Sequence, residues 1–358
     1  MIQHPTINDL EQYRSYDALS QSFLKSILVN NTKPIKETVP MFIGSYLDGL
    51  LFLPQYVDNL FQVGLAKRPS DAIKGFLDAV LGVLLEKEPE EGTSLFIDDY
   101  KEQILTEAFK VNYQPKWGAD ATWNSIKKDG EDYWNEKILS QGKLVITKEE
   151  HDLCTQLTAL TLSSPITGKY FVDQSRIDIY YQLPLYWTYL EEPCKGLLDM
   201  LIIEHETKTI YIIDLKSTGV ESLEEWFRIA SQKKYNFQLS WYQQGVESNF
   251  KDLLEQGYSI QCRWMVIPTN TQRFKPWIIP CTTTMLLFGQ YGYIKQTSDY
   301  LTVDKSVWTL GIKEYYGWKH AVNIYKRCKS EGLLDWDLTY FDYQGKLPED
   351  LSNRMFFI

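Results

Sequence analysis

The chain has 358 residues, of which 44% are hydrophobic and 23% charged, and a formal net charge of −10 at pH 7. It is long enough for one large globular domain. No apolar run approaches a membrane span, and the opening MIQHPTINDLEQYRS lacks the basic and apolar regions of a signal peptide. Five scattered cysteines fit a reducing compartment better than a disulfide framework, so the expected location is cytoplasmic.

In chain order, residues 16–29 and 40–53 read as helices, the second strongly apolar. Ser70 precedes a helix over 71–87, with apolar side chains recurring at Ile73, Phe76, Leu77, Val80, Leu81 and Leu84. The acidic stretch Glu86–Gly92 breaks that pattern. Residues 97–110 and 120–139 read as helical again, making 55–140 a helical insertion. Thr147 with Glu150 forms a capping box for a helix to about 162, and Ser222 with Glu225 repeats the pattern. Between them, residues 177–215 are dominated by strands. Residues 261–268 form a further buried strand. The aromatic-rich C-terminal third reads as helical around 282–298 and 312–330, its rings (Trp318 and Trp336 among them) assigned to packing before base stacking.

The chemistry is concentrated between Gly196 and Tyr242. Residues 197–204 and 209–215 are apolar runs separated by His205-Glu206-Thr207-Lys208, a hairpin of largely buried strands. Asp199 lies on the first strand. Asp214 and Lys216 lie two apart on the second, on one face. Buried carboxylates need a compensating cation, and Asp199, Asp214 and a backbone carbonyl at Leu215 are hard oxygen ligands suited to Mg²⁺ or Mn²⁺. Lys216 would hold an attacking water or a scissile phosphate. Gln238 and Tyr242, four apart on a helix, share a face. Each element alone has a plainer reading, as a strand-end ion pair or a core aromatic; the order and short separations of the set point to metal-dependent phosphodiester cleavage.

Gly196-x-x-Asp199, Asp214-x-Lys216 and Gln238-x-x-x-Tyr242 resemble the PD-(D/E)XK nuclease superfamily, in the branch of RecB-like domains and RecE-like, exonuclease VIII-type phage exonucleases. The family's first motif is a helical Gly followed four residues later by a metal-binding His. Here Gly44-Ser45-Tyr46-Leu47-Asp48 matches it, with Asp48 in place of the His. Ala18–Lys25 is similar to the Leu-Ser-x-Ser-x-Leu opening of RecE-like domains, and Lys143–Glu150 to the entry of the helix before the sheet, so the likeness spans about 16–250.

The resemblance implies an α/β fold with a central mixed sheet flanked by helices, a restriction-endonuclease-like core at about 16–54 and 143–270. A helical insertion at about 55–140 and a C-terminal helical elaboration at about 271–358 would complete a single domain. It also implies Asp199, Asp214 and Lys216 as catalytic residues and Asp48, Asp199, Asp214 and Leu215 as the metal set. Gln238 and Tyr242 would contact substrate, with Tyr242 stacking on a base or bonding a phosphate. The expected activity is Mg²⁺- or Mn²⁺-dependent exonucleolytic hydrolysis of DNA from double-stranded ends in recombination, by a ring-like homo-oligomer working with a single-strand annealing protein.

Some features depart from that pattern. The strand before Gly196 carries Gln182 and an out-of-phase Asp178 where many relatives have a carboxylate, and neither is assigned. The cysteines lack the close pairs an iron–sulfur cluster needs. A net charge of −10 opposes non-specific DNA binding, unless Arg228, Lys233, Lys234, Lys195, Lys67 and Arg68 concentrate positive charge locally. An endonuclease of the same superfamily, an inactive DNA-binding module, and a carboxylate acid–base pair of the glycosidase kind are the rival readings.

Overall fold

A computed structural model of the chain describes residues 2–28, 38–65, 67–86, 95–140, 142–304, 307–330 and 356–357. They form two compact units, residues 1–40 with 159–358, and residues 41–158. The break at Glu86–Gly92, apart from Glu86, and Trp336 lie outside the described residues.

The first unit opens with strand β1 (Ile2–Gln3), helix α1 (Ile7–Ser15) and helix α2 (Gln21–Leu28). A Thr6–Asp9 capping box starts α1. The helix expected over 16–29 begins only at Gln21. Leu19 instead makes a parallel bridge to Cys194, with backbone bonds to Pro193 and Lys195 of 2.9 and 2.8 Å, so residues 16–20 are extended.

The second unit comprises α3 (Val39–Phe52, from Met41), α4 (Val57–Leu60), β2 (Phe61–Leu65), α5 (Asp71–Glu86), α6 (Lys101–Lys110), α7 (Ala119–Leu139), β3 (Leu144–Thr147) and most of α8 (Lys148–Ser163). β2 and β3 pair in parallel. The core is built from one face each of α5, α6 and α7, through Ile73, Leu77, Ile104, Ile126 and Trp134. This unit extends beyond the 55–140 insertion on both sides. The expected capping box is present, with Glu150 N–H donating to Thr147 Oγ1 and Thr147 N–H to Glu150 Oε2. Glu150 also receives Arg68 through two bonds of 2.7 and 2.8 Å.

The chain then builds the main sheet: β4 (Ile177–Tyr189), β5 (Glu192–Glu204), β6 (Thr209–Thr218), helices α9 (Leu223–Gln232), α10 (Tyr235–Asn249) and α11 (Lys251–Glu255), then β7 (Ser259–Pro268) and β8 (Trp277–Cys281). The strand order is β1-β4-β5-β6-β7-β8. β4, β5 and β6 form an antiparallel meander, β7 pairs in parallel with β6 after the helical crossover, and β8 returns antiparallel. The fold is therefore α/β, a mixed six-stranded sheet with flanking helices, as the sequence implied.

α10 packs on this sheet through Phe237, Trp241, Tyr242 and Val246, which join Leu198, Leu201, Ile210 and Ile212 in one buried cluster. Close approach depends on two glycines. A Cβ at Gly245 would stand 2.8 Å from the Trp187 ring, and one at Gly196 would stand 3.2 Å from Tyr242.

The C-terminal region corrects the helical expectation. α12 (Thr283–Tyr291) ends at Gly292, whose φ of 88° suits glycine alone, and the chain turns there into strand β9 (Gly292–Asp304). β10 (Val307–Tyr316) pairs antiparallel with β9, and among the described residues beyond it α13 (Trp318–Ser330) is helical. The Tyr, Thr and Val content of these segments favours the pleated form. A short β11 (Phe356–Phe357) adds to β9 in parallel.

Replacing Gly245 by Ala gains about 1 kcal/mol of helix propensity but drives a methyl group into the Trp187 ring, which is itself packed on Trp241 at 4.9 Å. The expected net outcome is a loss of about 1–2 kcal/mol, read as a lower urea midpoint followed by tryptophan fluorescence. An unchanged or raised midpoint would show that α10 does not press on Trp187.

Candidate active site

The β5–β6 ladder ends at the pair Met200–Ile213. Asp199 and Asp214 are the next residues on each strand, so the two carboxylates stand where the strands cease to pair. Asp199 Oδ2 accepts the Leu215 N–H at 2.8 Å, taking the place a ladder carbonyl would have held. Asp214 is 1% exposed, and Lys216, two residues on along the same strand face, brings its Nζ to 2.6 Å from Asp214 Oδ2.

Two carboxylates in so little water cannot both ionise without help. Burial first, then the charge of Asp214, raises the Asp199 pKa to about 7, against the opposing pull of Lys216, the Leu215 N–H and Gln182. Burial would lower the Lys216 pKa, but Asp214 and Asp199 overcome it and raise it above the usual lysine value. Lys216 is therefore a fixed ammonium ion.

α10 forms the adjoining wall. Gln238 Nε2 donates to Tyr242 Oη at 3.0 Å, joining the two residues expected to share a face. Tyr242 is only 5% exposed, and burial, with Asp199 and Asp214 adding to it, holds its hydroxyl well above the usual tyrosine pKa. Its ring is enclosed by protein, which corrects the expectation that it stacks on a base; what it presents to the carboxylates is a protonated hydroxyl. Tyr235, at the start of α10, lies under Lys216 with the ammonium 5.1 Å from its ring centroid.

Gln182 belongs to this group as well. It has a left-handed φ of 44° within β4, flanked by the paired positions Tyr181–Met200 and Leu183–Leu198, and its Nε2 approaches Asp199 Oδ1 at 3.4 Å. The sequence offered Gln182 only as a missing carboxylate; the backbone kink that turns its amide toward Asp199 has no sequence signature of its own. Asp178, the alternative, pairs with His205 at 2.9 Å on the hairpin surface. Asp48 lies half-buried on α3 of the second unit, whereas the residues assembled around Asp199 all belong to the first.

Several of the basic residues considered for a DNA channel are engaged elsewhere. Lys195 donates to the carbonyls of Tyr13 and Tyr16 at the end of α1, Arg68 is held by Glu150, and Arg228 meets Glu225 at 3.5 Å. Lys233 and Lys234 occupy the break between α9 and α10, next to Tyr235.

The donor set fits a divalent cation. Asp214 is buried, and apart from the Lys216 ammonium 2.6 Å from Oδ2 its oxygens meet no hydrogen-bond donor among the described residues. Asp199 is held neutral more readily than an ordinary carboxyl, the state a nearby cation would reverse. Asp199, Asp214 and the Leu215 carbonyl would hold Mg²⁺ or Mn²⁺, with water completing the shell. Among the described residues, no group of three or more His, Cys, Asp and Glu side chains is placed around one metal position.

The raised Asp199 pKa has a consequence for stability. Between its usual 3.8 and about 7 the folded state keeps a proton the unfolded chain has released, so metal-free stability falls as pH rises through that window. Thermal unfolding in EDTA from pH 4.5 to 8 is expected to show this fall, Mg²⁺ to offset it at the upper end, and Asp199→Asn to remove both effects. A slope unchanged in Asp199→Asn would rule out Asp199 as its source.

No protein-family model matches the chain, and no curated protein matches it. Among solved structures, the chain is similar to a Eubacterium rectale protein named "Putative exonuclease", with 13% identity and a TM-score of 0.38 over 79% of this chain and 80% of that one. At that TM-score the likeness does not bear on function.

Proposed function

We propose that this protein is a divalent-cation-dependent DNA nuclease of the PD-(D/E)XK kind, acting as an exonuclease on double-stranded ends. The observation that carries the proposal is the buried Asp199–Asp214 pair at the end of the β5–β6 ladder, with the Lys216 ammonium 2.6 Å from Asp214. A glycosidase-type acid–base pair needs one carboxyl free to shuttle protons beside the substrate. Asp214, sealed and paired to a lysine, is unsuited to that role.

The role of each residue follows from its environment. Asp199 and Asp214 supply oxygen ligands, and the Leu215 N–H and Gln182 amide fix the Asp199 carboxylate in orientation. A Mg²⁺ or Mn²⁺ held by these oxygens would supply Lewis-acid charge stabilisation and an activated water. Lys216 stays protonated next to the ligands, where its compact charge offsets negative charge growing on the phosphate oxygens. Tyr242, braced by Gln238, adds a neutral hydroxyl in a site from which bulk water is largely excluded. End preference, strand polarity, ring assembly and an annealing partner enter this proposal through the sequence resemblance. Asp48 in place of the first motif's histidine, with the acidic net charge, favours as the second reading a DNA-binding module without catalysis.

Digestion of linear and circular duplex DNA with Mg²⁺, Mn²⁺ or EDTA discriminates these readings. Metal-dependent loss of the linear substrate alone, abolished in Asp214→Ala, is the expected result. Loss of both substrates would point to an endonuclease, and no cleavage with intact DNA binding to the module.

Lys216→Ala is expected to lower the cleavage rate at least about 100-fold while duplex affinity measured in EDTA changes by less than about threefold. Retained cleavage in that variant would remove Lys216 from the mechanism.

A further inference from the structure

Alternate residues of the main sheet face away from α10. On that face Ile179, Ile202 and Tyr211 are direct neighbours across β4, β5 and β6, and Arg263 of β7, paired with Ile213, stands one strand and two residues from Tyr211. Together with the segment around a short 3₁₀ turn (Gly168–Phe171), these side chains enclose a cavity of about 220 Å³ within the first unit. The outer wall is held in place. Tyr181 Oη donates to the Tyr170 carbonyl at 3.2 Å, and Gln174 Nε2 donates to the Lys169 carbonyl at 3.0 Å.

Two cations meet at Tyr170. Arg263 Nη1 donates to its hydroxyl at 3.3 Å, and the Lys169 ammonium stands 5.2 Å from its ring centroid. Arg263 also stacks on Tyr211, 4.3 Å from the ring centroid, and its Nη2 donates to Gln261 Oε1 at 2.8 Å. These partners are all neutral, and neither cation forms an ion pair among the described residues. Glu204 completes the cavity. Its Oε2 accepts Thr207 Oγ1 at 2.7 Å and Tyr211 Oη at 3.2 Å, while Oε1 is not engaged among the described residues. Taken singly, an arginine stacked on a tyrosine is ordinary strand-surface packing. That reading leaves unexplained why neutral groups hold the guanidinium from three sides, beside a second cation and over a floor of isoleucine.

We propose that this cavity binds a nucleoside monophosphate, with its phosphate at Arg263 and Lys169, its base over Ile179 and Ile202, and a sugar hydroxyl or base amine donating to Glu204. A guanidinium already oriented by its neighbours suits the planar, two-point grip of a phosphate, and the ammonium adds a mobile point charge. A volume of about 220 Å³ falls below that of a drug-sized pocket, so it takes one nucleotide and not a strand. Asp199 and Asp214 stand on the other side of the sheet, in phase with Leu201 and Ile212 beneath α10. The site is therefore separate from the candidate active site, and it does not rest on the nuclease reading.

The test is equilibrium dialysis of the full chain in EDTA against nucleoside 5′-monophosphates of each base, with inorganic phosphate and the unphosphorylated nucleosides measured alongside. Wild type is expected to bind a mononucleotide at least about tenfold more tightly than either fragment alone. Arg263→Met should weaken that binding about tenfold or more, the usual loss with a charge-assisted bond. Lys169→Ala should weaken it about threefold, and because Lys169 is exposed this variant keeps the test open should Arg263→Met fail to fold. Glu204→Gln should weaken the mononucleotide without weakening inorganic phosphate, and Lys216→Ala should leave both unchanged.

The absence of saturable mononucleotide binding to wild type would overturn the proposal, as would an affinity unchanged in both Arg263→Met and Lys169→Ala. Inorganic phosphate binding as tightly as the mononucleotide would remove the base and Glu204 from the assignment. Binding lost in Lys216→Ala but kept in Arg263→Met would place the ligand at the β6 strand end and overturn the cavity as its site.

Discussion

Two carboxylates pressed together in a desolvated strand end repel one another, and the first unit surrounds Asp199 and Asp214 with the means of holding them there. Three features act together, namely the Leu215 N–H on Asp199, the Lys216 ammonium on Asp214, and the end of the β5–β6 ladder one residue earlier. A continuous ladder would have directed the Leu215 N–H to a backbone carbonyl and left Asp199 without its best partner. The parting of the strands and the placement of the two carboxylates are thus one structural fact. The ammonium is retained because the carboxylates hold it charged, and Asp214 tolerates burial because the ammonium is present. Removing either partner would leave a buried uncompensated charge, which is more costly than the intact pair.

The packing behind the pair explains why its motif includes glycine. Tyr242 reaches the carboxylates only because Gly196 leaves room for its ring, and α10 lies low on the sheet because Gly245 faces Trp187. Trp241 adds a tether, its indole N–H donating to the Lys195 carbonyl at 3.0 Å, which ties the helix to the strand that carries Asp199. Trp318 of α13 is fully buried against Trp241, so aromatic packing of the C-terminal region supports the same helix. Rigid placement of a few polar groups by such a layer is what a catalytic site requires of a scaffold.

Much of this was legible because the signals are local. The apolar runs of β5 and β6, the Ser-x-x-Glu and Thr-x-x-Glu caps, and the four-residue spacing of Gln238 and Tyr242 each follow from period and capping chemistry within a short window. What escaped depends on distant partners. Residues 16–20 are extended because Leu19 finds Cys194, and the 292–316 hairpin forms where a glycine with φ of 88° stops α12. Gln182 requires a strand kink to meet Asp199. The division of the chain, with Asp48 on α3 in the second unit, also depends on contacts between distant segments. Sequence spacing carried no information on that division.

The overall charge of −10 would by itself argue against a polyanionic substrate. Charge acts through local field, however, and low-dielectric walls strengthen it where water is excluded. At the β6 strand end the Lys216 ammonium, held charged by Asp214 and Asp199, stands beside a carboxylate that resists ionisation, so the local balance of charge differs from the acidic total. A cation bound by the two carboxylates would add positive charge there. Under the proposed function, the acidic charge elsewhere would discourage contacts with nucleic acid outside the site.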